Sequence, residues 1–172
     1  MTSVQYYDSP LGRIQMAADE IGLTVLCFEG AKYDDDLLPA AYVEQETGIL
    51  LEGKRWLDLY FSGQKPDFLP RLHPEGTTFQ KSVWEILLQI PYGETISYGE
   101  IAHQLAEKRG IPRMSAQAVG GAIGRNPIAI IIPCHRVVGA DGSLTGYAGG
   151  IDKKVKLLEL EQSNGRLAET LA

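Results

Sequence analysis

The sequence predicts a small mixed α/β unit followed by a mainly helical one that contains a helix-turn-helix. Short apolar runs separated by turn residues occupy residues 4–28, whereas apolar stripes at helical spacing, each opened by a capping residue, occupy residues 77–123. A connector bearing Pro, Gly and His, from Pro66 to Gly76, separates the two patterns. The division is therefore expected at residue 75, giving units 1–75 and 76–172. With 172 residues and 44% hydrophobic composition, the chain can bury a core in one domain or in two small ones.

In the first unit, Val4 to Tyr7, Arg13 to Ala18 and Leu23 to Phe28 read as strands of an antiparallel meander. Ser9-Pro10-Leu11-Gly12 and Asp19-Glu20-Ile21-Gly22 supply the turns. Cys27 falls in the third strand, where packing is its expected role. Asp34-Asp35-Asp36 reads as a solvated loop or helix start, because no other carboxylates are spaced to complete a metal cage. Leu50, Gly53, Leu57, Tyr60 and Phe61 recur at helical spacing, which predicts a helix from about Leu38 to Phe61 laid on the meander, with Trp56 in the core. His73, alone in the connector, reads as a surface residue.

The second unit opens with Thr77 and Gln80 at the spacing of a capping box, and Phe79, Val83, Ile86, Leu87 and Ile90 form one stripe before Pro91-Tyr92-Gly93. Ser97 with Glu100 predicts a second box and a helix from Tyr98 to Lys108. Ser115 caps a third helix, Ala116 to Ile123, after the break at Arg109-Gly110-Ile111-Pro112. This third helix is nearly all small: Ala116, Ala118, Gly120, Gly121, Ala122, with Gly124 following. Each Gly costs roughly 1 kcal/mol against Ala in a helix. Either tight packing inside the domain or close approach to an outside surface must offset that cost, and a helix so slim suits a minor groove, where readout is degenerate. A turn at Gly139 to Ser143, a loop from Thr145 to Gly150 and a last helix capped by Asp152, carrying Val155, Leu158, Glu161 and Lys154, complete the chain. A frayed tail is expected beyond Ser163.

The stretch Asn126 to Arg136, Asn-Pro-Ile-Ala-Ile-Ile-Ile-Pro-Cys-His-Arg, is the most informative. Its run Ile128 to Ile132, bounded by Pro127 and Pro133, predicts a buried strand or extended segment. Cys134, His135 and Arg136 leave its end together. A thiol becomes nucleophilic on ionisation, and cationic or hydrogen-bonding neighbours favour that. The plain alternative is that a lone Cys is a small buried hydrophobe, and that an adjacent His on a strand points to the opposite face.

Ile132-Pro-Cys-His-Arg-Val-Val138, with Asn126-Pro127 before it and Gly146-Tyr-Ala-Gly-Gly150 after it, closely resembles the O6-alkylguanine-DNA alkyltransferases, the methylated-DNA-protein-cysteine methyltransferases. The resemblance is specific from about Thr78 to Glu161 and looser through residues 1–75. It implies a ribonuclease-H-like α/β amino-terminal domain and a winged-helix-like carboxy-terminal domain. The implied reaction moves an alkyl group from O6 of guanine in double-stranded DNA to cysteine, once and without turnover, after the base is flipped out of the stack; O4 of thymine is a second implied target. On this resemblance Cys134 is the acceptor, His135 its base through a water, Glu161 the carboxylate orienting His135, and Asn126 the brace of the active-site turn. Tyr98 hydrogen-bonds the base and helps supply the proton that guanine needs to leave. Backbone groups at Cys134, Val137, Tyr147 and Ala148 read the base edges, and Arg136 belongs to the DNA-contacting set. One position departs from the pattern: Gln117 stands where the family usually has an arginine that fills the space left by the flipped base. DNA binding weaker than with arginine, or compensation by Arg113 or Lys108, is the expectation.

Net charge is −6, which by itself disfavours a nucleic-acid partner, but it divides unevenly. Residues 1–75 carry 6 Lys and Arg against 13 Asp and Glu, whereas residues 76–172 carry 10 against 9. Any DNA contact belongs to the second unit. With Cys27 and Cys134 far apart and without metal-ligand spacing, free thiols in a reducing compartment are expected. No run is long enough to span a bilayer and the amino terminus lacks a basic-then-apolar leader, so the expectation is a cytoplasmic monomer needing neither metal nor cofactor. A lesion binder without chemistry, a helix-turn-helix regulator and a cysteine hydrolase are the rival readings. The first replaces the cysteine, the second leaves Pro133-Cys134-His135-Arg136 without purpose, and the third requires turnover.

Overall fold

Alternation along the first three runs produces the expected meander: β1 (Thr2–Ser9), β2 (Gly12–Ala18) and β3 (Leu23–Phe28). The computed structural model describes residues 1–32 and 34–171, with the side chains of Asp34, Asp35 and residues 164–171 outside the description. Tyr7 faces Ile14 across the first antiparallel pair and Ile14 faces Phe28 across the second. Ile14, Met16, Leu23, Leu26 and Phe28 belong to the main core, while Val4, Ala17, Val25 and Cys27 form a smaller cluster against which Leu37 and Leu38 pack. Cys27 thus packs as expected.

The helix expected from Leu38 starts later. Thr47 caps α2 (Gly48–Phe61) by accepting a hydrogen bond from Leu50 N, and the residues before it include a strand absent from the sequence reading, β4 (Tyr42–Glu44). β4 pairs parallel with β1, completing a sheet of order β3-β2-β1-β4. Three exposed residues give no periodicity to read, which is why β4 merged into the helix. A one-turn α1 (Asp34–Leu37) precedes it, so the Asp triplet is a helix start. α2 buries Leu50, Trp56, Leu57 and Tyr60. At Gly53 an added Cβ would meet Met16 Sδ at 3.3 Å, so a bare backbone there lets the helix close on the sheet. His73, expected at the surface alone, is half-buried and its Nδ1 lies 2.6 Å from Asp19 Oδ2.

In the second half both bonds of the Thr77–Gln80 capping box are present at the start of α3 (Thr78–Leu88), and Trp84 joins the predicted stripe, its indole N–H donating to Ala122 O at 2.9 Å. Ser97 caps α4 (Tyr98–Arg109), but Glu100 turns its carboxylate toward Gln104 and does not complete a second box. Gly110, at φ 65°, ends α4 in the left-handed conformation that glycine adopts without steric cost. Ser115 caps α5 (Ala116–Gly124), and α4 and α5 form the expected helix-turn-helix. Short β5 (Ile96–Ser97) and β6 (Val137–Val138) pair in parallel beside it. Asp152 lies in the first turn of α6 (Ile151–Leu171) and is not its cap. The buried line of α6 is Lys154, Leu157 and Glu161, with Val155 and Leu158 only half-buried. The expectation for the tail beyond Ser163 falls outside the described residues.

One apolar core runs through both halves, from Ile14 and Leu57 to Trp84, Val119 and Ile132. Leu26 N donates to Pro127 O (2.9 Å) and Ala129 N to Leu26 O (2.7 Å), so the segment before the cysteine is stitched to the free edge of β3. Among the described residues no helix is long and apolar enough to cross a membrane.

Candidate active site

The isoleucine run is a tight turn where a buried strand or extended segment was expected. Only Ile128 makes a bridge, to Leu26. The chain then doubles back, with Ile132 N donating to Ile128 O at 3.1 Å and Ile130 at φ 69°. A β-branched residue in the left-handed region costs on the order of 1–3 kcal/mol and persists only where its surroundings enforce it. Asn126 does the enforcing: its Nδ2 donates to Ile132 O (2.8 Å) and its Oδ1 accepts from Ile128 N (3.0 Å), clamping both ends of the turn. Burial of Ile128, Ile130, Ile131 and Ile132 locks it from outside. β-Branched composition signalled burial correctly; the side-chain clamp decided the backbone.

Cys134–Arg136 follow as a single 3₁₀ turn that places a half-buried thiol at the surface of a cleft and His135 and Arg136 beneath it. His135 Nε2 lies 2.6 Å from Glu161 Oε2. Glu161 is buried, yet it collects further hydrogen bonds from Tyr60 Oη (2.7 Å), Arg136 Nε (2.8 Å), Arg136 Nη2 (3.2 Å) and Gly93 N (3.1 Å). Burial pushes its pKa up, but the bonds and charges of His135 and Arg136 outweigh this and hold it at about 2. An ionised carboxylate only accepts, so His135 Nε2 carries the proton and Nδ1 presents its lone pair. Nδ1 is buried without a protein partner, one of two such side-chain atoms among the described residues; the other is Tyr147 Oη.

Burial lowers the His135 pKa, keeping the imidazole neutral, and raises that of Cys134 against the opposing hydrogen bond from Asn126 and the charge of Lys154. Thiol and imidazole therefore rest in their uncharged forms. Such a pair can supply a nucleophile with an unprotonated base beside it.

Two clefts meet at Cys134. One, of about 420 Å³, opens toward β3 and α1 and is lined by Phe28, Ala31, Leu37 and Gln80; the other, of about 280 Å³, lies against α4 and α5 and is lined by Tyr98, Gly120, Gly121 and Gly146. Cys134, Tyr147 and Ala148 line both. Tyr98 Oη donates to Thr145 O at 3.2 Å, and Ala148 O accepts from Lys32 N at 2.9 Å. Lys154, wholly buried, reaches under the loop and donates to Val137 O (2.6 Å), Thr145 O (2.8 Å) and Gly146 O (3.3 Å). Gln117, Arg113 and Lys108 are exposed, Gln117 in the first turn of α5.

The glycines of α5 separate the two explanations for its slimness. A Cβ added at Gly121 or Gly124 would meet nothing within 4 Å, and at Gly120 only the Tyr98 ring at 3.9 Å. Internal packing therefore does not offset a cost of roughly 2 kcal/mol for Gly120 and Gly121 inside the helix. Gly121 and Gly124 face open space beside the Cys134 cleft.

Of the residues singled out, Cys134, His135, Glu161, Asn126, Tyr98, Tyr147 and Ala148 gather around this site. Arg136 does not belong with DNA: it is buried, bound to Glu161 and to Ile90 O at 2.8 Å, and it serves the carboxylate. Val137 is also buried; its N–H is spent on Cys134 O and its carbonyl accepts from Lys154, leaving one carbonyl lone pair for a ligand. Tyr60 and Gly93 were not anticipated. Tyr60 read as core because its apolar spacing is visible and a hydroxyl partner 101 residues away is not.

A thiol on a clamped turn, backed by a neutral imidazole and an ionised carboxylate and set beside a helix-turn-helix, defines a class: a cysteine nucleophile carried on a domain of DNA-binding type. Comparison with known proteins narrows it. Residues 78–163 match the family model "6-O-methylguanine DNA methyltransferase, DNA binding domain", and residues 4–73 match "6-O-methylguanine DNA methyltransferase, ribonuclease-like domain". The chain belongs to the 6-O-methylguanine DNA methyltransferase family. It is 51% identical, over 91% of its own length and 96% of the relative's, to the methylated-DNA--protein-cysteine methyltransferase of Methanosarcina acetivorans. It is 48% identical to that of Mycobacterium leprae, over 90% and 89%. Among solved structures, Mycobacterium tuberculosis OGT in complex with DNA superposes with a TM-score of 0.81 at 44% identity, covering 94% of each chain.

Proposed function

We propose that this protein reverses alkylation damage directly, transferring a methyl or larger alkyl group from O6 of guanine in double-stranded DNA to Cys134, with O4-alkylthymine as a second substrate. The supporting observation is the cleft at which the thiol and the bare, open face of α5 meet, since a helix without side chains there can approach a duplex closely while the sulfur waits beside it. His135 Nδ1 takes the Cys134 proton through a water. The Sγ–C bond forms as the C–O6 bond breaks, the electron pair leaves on the guanine, and Tyr98 helps deliver the proton that neutralises it. The thioether is not hydrolysed, so each molecule acts once. Because O6 is inaccessible in a stacked duplex, the nucleotide is flipped into the cleft at a cost of a few kcal/mol, with backbone groups at Cys134, Tyr147, Ala148 and the spare lone pair of Val137 toward the base. Residues 76–172 make the DNA contact and the acidic residues 1–75 face away from phosphate. A cytoplasmic monomer fits this task.

The deciding experiment is to mix the protein with a duplex bearing O6-methylguanine and weigh the tryptic peptides. A gain of one methyl mass on the Cys134 peptide, stoichiometric with protein and absent in Cys134→Ala, is expected. A free thiol alongside persisting lesion would overturn the proposal.

Gln117 gives a second measurable expectation. An uncharged amide fills space but attracts no phosphate, so Gln117→Arg is expected to tighten duplex binding and steepen its dependence on salt by about one counterion. Titration of a labelled duplex at several salt concentrations reads both. A large fall in alkyl-transfer rate in this variant would instead show that glutamine is a fitted choice at this position.

A further inference from the structure

We infer that Tyr60, from the amino-terminal half, is a positioning residue for the His135–Glu161 pair, sharing the carboxylate oxygen that holds the imidazole and so tuning the base. Its Oη donates to Glu161 Oε2 at 2.7 Å, the same atom that lies 2.6 Å from His135 Nε2. Tyr60 is wholly buried in the last turn of α2. Its ring is stacked on Trp56 (centroids 5.2 Å apart, planes at 10°) and set edge-on to Phe61 at 5.3 Å and to Tyr92 at 6.2 Å. The ring is fixed on several sides, so the hydroxyl cannot swing away, and a phenylalanine would fill the same space without desolvating a polar group. The position of Glu161 does not depend on this bond alone, since Arg136 and Gly93 already hold the carboxylate.

The added donor matters for charge. A hydrogen bond to Oε2 draws negative charge from the oxygen that would stabilise an imidazolium, so Tyr60 favours neutral His135 with its Nδ1 lone pair available. The charged and titratable groups acting on His135 are Glu161 and Lys154 from α6 and Arg136 from the 3₁₀ turn, while Tyr60 from α2 and Tyr147 from the glycine-rich loop act on Glu161, and Tyr147 also on Cys134. Of these, Tyr60 alone reaches the pair from the amino-terminal half. The role of that half is thus in part chemical, in setting how readily the base takes a proton.

This inference rests on the alkyl-transfer reading for its rate arm only. In Tyr60→Phe, histidine ¹⁵N NMR titration of the full chain is expected to show the His135 transition moved to higher pH by about 0.5–1 unit. The acid limb of the single-turnover alkyl-transfer profile should move with it, the plateau staying within about threefold of wild type. Site-specific incorporation of 3,5-difluorotyrosine at position 60 preserves packing and strengthens the donor, and should shift the transition the opposite way. Superimposable titrations in all three proteins, or lowered melting temperature with an unmoved titration, would overturn the inference. The NMR arm needs no DNA, so wild-type protein that titrates as expected but takes up no methyl group would count against the function and not against Tyr60.

Discussion

Glu161→Gln is expected to lower stability by about 3–5 kcal/mol and the rate of methyl uptake by roughly 10²- to 10⁴-fold. The substitution is isosteric, but it leaves the Arg136 guanidinium buried without its counter-charge and puts an amide NH₂ among donors from Tyr60, His135, Arg136 and Gly93. His135 then loses the acceptor that fixes its tautomer, and Nδ1 no longer reliably presents a lone pair. The same carboxylate gives wild type a signature in acid. Its pKa is depressed from 4.5 to about 2 in the fold, so its stabilisation is complete above pH 4.5 and is lost as pH falls toward 2. That loss amounts to about 3 kcal/mol. His135, whose pKa burial lowers from 6.5, adds an earlier decline, because below pH 6.5 the unfolded chain takes up a proton that the folded one refuses. Urea unfolding at pH 3, 5 and 7 should therefore show wild type weakening at both steps and Glu161→Gln weakening at the first but clearly less than wild type at the second, where Asp19, also held low, still contributes. A variant that unfolds like wild type at pH 7 and still reacts would show that the carboxylate is dispensable.

Lys154→Met is expected to cost about 3 kcal/mol and to slow alkyl transfer by about tenfold or more. Methionine matches the length of the lysine stem and keeps the packing, but Val137 O, Thr145 O and Gly146 O lose a charged donor that satisfies all three. Thr145 O also receives the Tyr98 hydroxyl, so loosening the loop displaces a residue assigned to the base as well as the wall formed by Tyr147 and Ala148. The Lys154 charge opposes the rise in the Cys134 pKa, so its removal should also slow reaction with iodoacetamide. Hydrogen exchange of residues 143–150 checks the first effect and thiol labelling the second. Unchanged protection of the loop would refute the account.

Much of this arrangement could be read from the sequence because it is local. Strand alternation placed β1 to β3, capping residues fixed the starts of α3, α4 and α5 to within a residue, and the Asn126 to Arg136 string pointed to the thiol that the structure sets at the cleft. What escaped is held by bonds between distant parts of the chain. The isoleucine run carries a strand's composition, and only the Asn126 side chain, bonding Ile128 N and Ile132 O, folds it back. Glu161 is legible only through the family resemblance, and the role of Lys154 not at all, because the partners that turn both inward lie 8 to 101 residues away. Arg136 beside a reactive cysteine suggests a phosphate contact until Glu161 is seen next to it.

The stitching of Leu26 to Pro127 and Ala129, inside a core common to both family-model regions, bears on how such a molecule meets its target. A sulfur anchored on that seam is held by both halves at once, since parting them would expose apolar surface that both need. A seam of this kind opposes hinge motion, so under the proposed function the change of shape falls on the duplex, which must extrude the damaged nucleotide.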